Sequence, residues 1–411
     1  MGEITQEELS KVTHRLALEG FKGSGAKKYG NNDICQKLRE TGSNLWMDTG
    51  NKEAAEEVWT DEFSALTTNN TLANQVVQTG IMDEEIKKTV SVLRNTFPGI
   101  DDETLAIEIG FVINCKIALR LIENFGVKVS VELHPHFARD IENTLAYARR
   151  YIAVCPEYFI IKIPLTPEGY LAVRKLTAEG IPINFTLGFS ARQNYLAAAL
   201  SNPDYVNVFL GRLNSVVADN GLGNGDNVGE KVTWATQNSL NQLKKSNNNI
   251  HTKLIAASIR GGEQVFKLAG IDCQTIPPAA AQSALQSGKK LDEIVKGETL
   301  VGEVGMNNPA QFEPLWTICD KFKNFIEELS NEFLDGYTGN DLINFCEKKE
   351  IDLFHRYTAE ELMEIKADGK IPKLSKWEGS VALDDLMTYS ALLSFVTDQE
   401  ALDNRIKGFF S

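Results

Sequence analysis

The stretch EYFIIKIPLTPEGYLAVRKLTAEG, residues 157–180, contains one complete strand-and-helix unit. Five of its first seven residues are aromatic or β-branched apolar, the composition of a strand buried on both faces. Thr166 and Pro167 then open a helix as cap and first-turn residue, apolar positions follow at helical spacing, and Gly180 stops it. The same alternation predicts strands at 45–48, 63–68, 127–133, 158–163, 181–187, 205–210, 252–257 and 272–276, with helices between most of them. That pattern specifies an α/β fold, a parallel (β/α)8 TIM barrel over residues 44–311. A doubly wound sheet is the competing count, but no G-x-G-x-x-G follows a strand.

Residues 1–43 read as an N-terminal helical segment and 312–411 as a helical C-terminal extension. The interval 69–126 has room for two or three helices. ADNGLGNGDNVG, residues 218–229, is a Gly- and Asn-rich loop expected to be mobile at the catalytic rim. In the extension, ALDDLMTYSALLSFVTDQEALDNRI (382–406) predicts a long amphipathic helix. These C-terminal helices are expected to pack on their own barrel, with a homodimer contact as the alternative.

Composition removes several classes of function. A formal charge of −14 repels phosphate backbones, which argues against a nucleic-acid partner and leaves any anionic substrate to a few placed arginines. The six cysteines stand singly, with no C-x-x-C pair, so neither a disulfide framework nor a zinc knuckle is indicated and a reducing cytoplasm fits best. No run is long and apolar enough to cross a bilayer. Gly2 stands where myristoylation requires it, but Gln6 occupies the position of the required Ser or Thr.

Lys162 interrupts the buried strand near its C-terminal end, where barrel enzymes carry their chemistry. A strand-end lysine ordinarily snorkels to solvent. Inside a barrel mouth, however, an ammonium is costly to desolvate, which favours the neutral amine that attacks a ketone carbonyl and forms a Schiff base. Carboxylates fall at matching ends of other strands: Asp48 in LWMDTG and Glu132 in VSVELHP. Asn69 follows the second strand, and Asn184 and Thr186 share one facing parity on the fifth. Arg212, Ser258 and Arg260 follow strands six and seven, where barrels commonly bind phosphate.

The segments LWMDTG, ALTTNNTL, VSVELHP, IIKIPLTPEG, AEGIPINFTLGFS, VFLGRL and LIAASIRGGEQVFKLAGIDCQTIPP resemble, in order, the signature blocks of the transaldolases. The resemblance implies that Lys162 forms the Schiff base, that Asp48 carries the proton during carbon–carbon cleavage, and that Glu132 acts through a water held by Thr186. It implies that Asn69 and Asn184 hold the three-carbon unit and that Arg212, Arg260 and Ser258 hold the sugar phosphate, with no metal and no organic cofactor. Asn207 and Phe209 fall at the substrate on the sixth strand. Two residues depart from the family: Asn70 replaces a Pro and Asn207 replaces a Ser.

Three other readings remain open. The sister fructose-6-phosphate aldolases carry Gln at the position of Glu132 and Tyr at that of Phe209. A metal-dependent hydrolase would use Glu132, His134 and His136, although Pro135 is expected to turn His136 away. A catalytically inactive sugar-phosphate-binding barrel would need no desolvated amine.

Overall fold

The computed structural model describes residues 5–25 and 27–410; Gly2 lies outside them. Its eight strands are β1 (Asn44–Asp48), β2 (Phe63–Thr67), β3 (Lys128–Glu132), β4 (Phe159–Pro164), β5 (Ile183–Thr186), β6 (Tyr205–Phe209), β7 (Lys253–Ala257) and β8 (Cys273–Ile276). Each pairs in parallel with the next, and β1 closes on β8. The fold is therefore the (β/α)8 barrel expected from the sequence. Strand ends agree to within one or two residues throughout; β5 stops at Thr186, one residue early, because Leu187 takes a left-handed φ of 68°.

The opening unit shows how local chemistry builds this architecture. Every residue of β4 is buried, since helices cover its outer face and side chains fill the barrel on the inner one. Thr166 then caps helix Pro167–Ala178, its Oγ1 accepting from the Gly169 N–H at 3.0 Å. Gly169 is required there, because a Cβ would come within 2.2 Å of the Pro164 carbonyl oxygen.

Three helices fill the long interval after β2: Asn70–Gln78, Asp83–Thr96 and Asp102–Phe125. The N-terminal helix Gln6–Leu18 packs on the last of these, burying Leu9, Leu16 and Ala17. The Gly- and Asn-rich segment differs from expectation. Its backbone is laced to residues 305–307, with Gly225 N–H donating to Gly305 O (2.9 Å), Gly305 N–H to Asp226 O (2.7 Å) and Asn307 N–H to Leu222 O (2.8 Å). None of its residues lines the barrel-mouth cavity.

The extension contributes helices Asp320–Ser330, Gly339–Lys348, Ala359–Asp368 and Leu383–Lys407. They pack on the barrel of the same chain, in one continuous core with it. The last helix is not amphipathic along its length: residues 384–392 are buried on all sides. The reason is position, because it runs between the catalytic end of the barrel and the segment 355–357, whose His355 N–H donates to Asp385 Oδ2 (2.9 Å) and whose Tyr357 ring packs on Tyr389, centres 4.4 Å apart. Thr388 Oγ1 donates to Leu187 O just past β5 (2.9 Å), while helix Ala359–Asp368 packs elsewhere on its length.

Candidate active site

Parallel register brings the sequence-predicted residues together. Glu132 pairs with Lys162 across β3 and β4, and Lys162 with Asn184 across β4 and β5, so three functional side chains stand at one level of the barrel wall. On the other side Asp48 pairs with Thr67. These strand ends floor a cavity of about 160 Å³, lined by Asp48, Asn69, Lys162, Asn184, Asn207, Phe209, Arg212, Ser258 and Arg260. Glu132 and Thr186 do not line it; Glu132 reaches it through Lys162.

The Lys162 ammonium is buried, 3.2 Å from Glu132 Oε2, and donates to the Thr68 carbonyl at 3.3 Å. Burial pushes the Glu132 carboxyl above its ordinary value, and the Lys162 charge opposes that shift. Asp48 is likewise raised by burial and pulled back by Lys162 and Arg260. Glu132 Oε1 and Thr186 Oγ1 are buried with no hydrogen-bond partner among the described residues. Such orphaned groups are uncommon in a folded interior and mark a place where polar chemistry is expected.

The amide side chains form a fixed chain. Asn184 donates to Ser130 Oγ (3.0 Å) and its Oδ1 accepts from Asn207 Nδ2 (3.0 Å). Asn207 therefore orients Asn184. Asn69 caps helix Asn70–Gln78, its Oδ1 accepting from the Leu72 N–H at 2.8 Å, which leaves the amide nitrogen for the cavity. Phe209 packs against Phe189, ring centres 5.8 Å apart, and closes one side of the cavity.

The opposite wall is cationic. Arg212 is buried and donates to the Lys370 carbonyl (3.1 Å) and to Ser394 Oγ (3.4 Å). Burial, with the Arg260 charge nearby, brings its guanidinium down to about 10. Ser258 holds a φ of 66°, an unfavourable conformation for a residue with a Cβ. Its carbonyl comes so near the helix after β6 that a Cβ on Gly211 would lie within 2.2 Å of it, so glycine at 211 lets the segments that follow β6 and β7 meet.

His134 and His136 stand ring to ring, centres 4.7 Å apart, but outside the cavity. β3 ends at Glu132, Pro135 starts a 3-10 turn, and His134 Nε2 lies 3.3 Å from Asp403 of the last helix.

A family model described as transaldolase/fructose-6-phosphate aldolase matches residues 45–338. The chain belongs to the transaldolase/fructose-6-phosphate aldolase family. It is 37% identical over 146 residues to a probable transaldolase of Phenylobacterium zucineum, a match that covers 35% of this chain and 60% of that protein. It is 35% identical over 168 residues to a probable transaldolase of Thermus thermophilus, covering 40% of this chain and 67% of that one. A transaldolase of Xanthomonas euvesicatoria is 28% identical over 249 residues, 59% of this chain and 74% of the relative. The chain thus spans between 60% and 74% of the length of these curated relatives.

Among the lining residues that escaped sequence reasoning are Thr67, Thr275, Lys370 and Phe395. Thr67 had a signal, since it shares the facing parity of Asn69 and pairs with Asp48. Lys370 and Phe395 had none, and both lie beyond the part of the chain that the transaldolase/fructose-6-phosphate aldolase model matches. The Phe395 ring lies 5.8 Å from both Lys162 Nζ and the Arg212 guanidinium carbon. The same helix accounts for a departure from the family. Asn70, where a Pro was expected, is buried and donates to Gln399 Oε1 at 2.9 Å, a bond that fixes the turn next to Asn69.

Proposed function

We propose that the chain is a transaldolase, moving a dihydroxyacetone unit from a ketose phosphate, fructose 6-phosphate or sedoheptulose 7-phosphate, to an aldose phosphate, erythrose 4-phosphate or glyceraldehyde 3-phosphate. The observation that carries this reading is the buried Lys162–Glu132 pair at 3.2 Å, at the floor of a cavity whose far wall is cationic.

The steps follow from the residues present. Transfer of a proton from Lys162 toward Glu132 frees the amine to attack the C2 carbonyl of the donor. Loss of water, with Glu132 returning the proton through a solvent molecule beside Thr186, leaves an iminium ion. Asp48 takes the proton of the C4 hydroxyl as the C3–C4 bond breaks, and the bonding electrons pass into an enamine on Lys162. The aldose phosphate departs, and the enamine attacks the acceptor carbonyl, which takes its proton back from Asp48. Hydrolysis of the new iminium restores Lys162. Asn184 and Asn69 hold the hydroxyls of the three-carbon unit, with Asn207 keeping Asn184 in place; Arg212, Arg260 and Ser258 take the phosphate. The cycle uses no metal and no organic cofactor.

Glu132 and Phe209 favour transfer over release to water, since the sister aldolases carry Gln and Tyr there. A cytoplasmic setting, in the non-oxidative pentose phosphate route, agrees with six free cysteines, five of them buried. Among the described residues no helix is long and apolar enough to cross a membrane.

The test is release of glyceraldehyde 3-phosphate from fructose 6-phosphate with and without erythrose 4-phosphate. Transfer predicts sustained release only with the acceptor present. Equal release in both conditions identifies an aldolase, and none in either, with sugar phosphate still bound, identifies a binding protein.

A further inference from the structure

Four lysines lie close together in sequence, Lys366 in the last turn of helix Ala359–Asp368 and Lys370, Lys373 and Lys376 between it and helix Leu383–Lys407. Lys366 is paired with Glu400 (2.7 Å), Lys373 with Asp368 (3.8 Å) and Lys376 with Asp368 and Glu364 (2.9 Å each). Among the described residues, no carboxylate comes within ion-pair distance of Lys370, and this lysine lines the catalytic cavity. Its placement is built. Gly369 turns the chain with a φ of 82°, and the Lys370 carbonyl accepts from Arg212. Asn220 then clamps the following residues, donating to Pro372 O (3.1 Å) and accepting from Leu374 N–H (2.9 Å).

Arg212 and Arg260 likewise have no carboxylate within ion-pair distance among the described residues, so three cationic residues, Arg212 buried and Arg260 and Lys370 exposed, line one cavity without an ion-pair partner. A buried charge such as that of Arg212 is ordinarily paired, and its clustering with two further unpaired cations calls for an anion from outside the chain. We propose that Lys370 is a third cationic ligand for the phosphate of the sugar substrate, so that the C-terminal extension forms part of the binding site and not only its cover. This deepens the transaldolase reading and rests on it for the sugar; the anion itself, a phosphomonoester dianion, follows from the charge of the wall.

The experiment compares wild type, Lys370→Gln, Lys370→Arg and the control Lys373→Gln. Affinity for inorganic phosphate is measured by calorimetry, and kcat and KM are measured for fructose 6-phosphate and for unphosphorylated fructose, with glyceraldehyde as acceptor. Lys370→Gln is expected to weaken phosphate binding and raise KM for fructose 6-phosphate by roughly tenfold, the low end for a charge-assisted contact from an exposed lysine. Fructose kinetics and kcat stay unchanged, Lys370→Arg restores affinity, and Lys373→Gln behaves as wild type. Unchanged phosphate affinity in Lys370→Gln, or equal losses for fructose and fructose 6-phosphate, overturns the proposal. If no variant turns over either sugar, the transaldolase reading fails, and phosphate affinity alone still decides the role of Lys370.

Discussion

Two arginines in the molecule sit in matching places and have opposite surroundings. Arg192 occupies the first turn of the helix after β5, Ala191–Ser201, and Arg212 the first turn of the helix after β6, Leu210–Asp219. Both are buried beneath helix Leu383–Lys407. That helix meets Arg192 with Asp384, which accepts two bonds of 2.8 Å, and Asp352 adds a third at 2.8 Å. Burial alone would lower the Arg192 guanidinium; the Asp384 carboxylate outweighs it and holds it above its ordinary value. Ten residues further along, the helix meets Arg212 with the Ser394 hydroxyl and the Phe395 ring but with no carboxylate at ion-pair distance among the described residues, and burial brings that guanidinium down to about 10. The first arginine is satisfied by its own chain and fastens the extension to the barrel. The second has no carboxylate within ion-pair distance among the described residues, and under the transaldolase proposal its charge serves the substrate phosphate.

Substitutions can break this contrast or sharpen it. Arg192→Met leaves Asp384 buried and uncompensated, and should lower unfolding stability by about 3–5 kcal/mol in urea titrations. A loss below about 1 kcal/mol would mean that the pair is not a fastener. Asp385, next to Asp384 and near Arg192, His355, Tyr357 and Tyr389, is a carboxyl that burial pushes up to about 8. Between its unfolded value near 3.9 and about 8 the folded state holds the extra proton, so its contribution to stability falls as pH rises. Relative to Asp385→Asn, wild type should therefore lose roughly 2–3 kcal/mol between pH 5 and pH 7, and a flat difference would refute a buried, raised Asp385. Arg212→Met orphans no carboxylate and should leave stability within about 1 kcal/mol of wild type or higher. Its KM for fructose 6-phosphate should rise roughly 10- to 100-fold, and a stability loss matching that of Arg192→Met would erase the distinction. The smallest change is expected from Phe209→Tyr, which should raise simple aldol cleavage relative to transfer within about tenfold, or roughly 1.4 kcal/mol. An unchanged ratio would remove position 209 from the control of reaction outcome.

The same contrast explains what could be read from the sequence. Lys162, Glu132, Asp48 and Asn184 stand at strand ends, where a period of two fixes which way each side chain faces and parallel register fixes its neighbours. Alternation therefore located both the barrel and most of the site. Helix Leu383–Lys407 offered no such handle, because its first half is buried on all sides and carries no polar face to orient Phe395 or Ser394. Nothing in the sequence separates Lys370 from the neighbouring Lys366, Lys373 and Lys376, which find carboxylate partners only in the folded chain. The segment 218–229 has the composition of a free loop, and partners distant in sequence, at 303–307 and 372–374, tie it down.

The central claim is that the Lys162 amine forms a Schiff base with the donor sugar. Borohydride reduction of the protein with fructose 6-phosphate and no acceptor, followed by intact mass and peptide mapping, tests it most directly. The account predicts a single reduced three-carbon adduct on Lys162, absent from Lys162→Met. No adduct at Lys162, in folded protein that still binds the sugar phosphate, would contradict it.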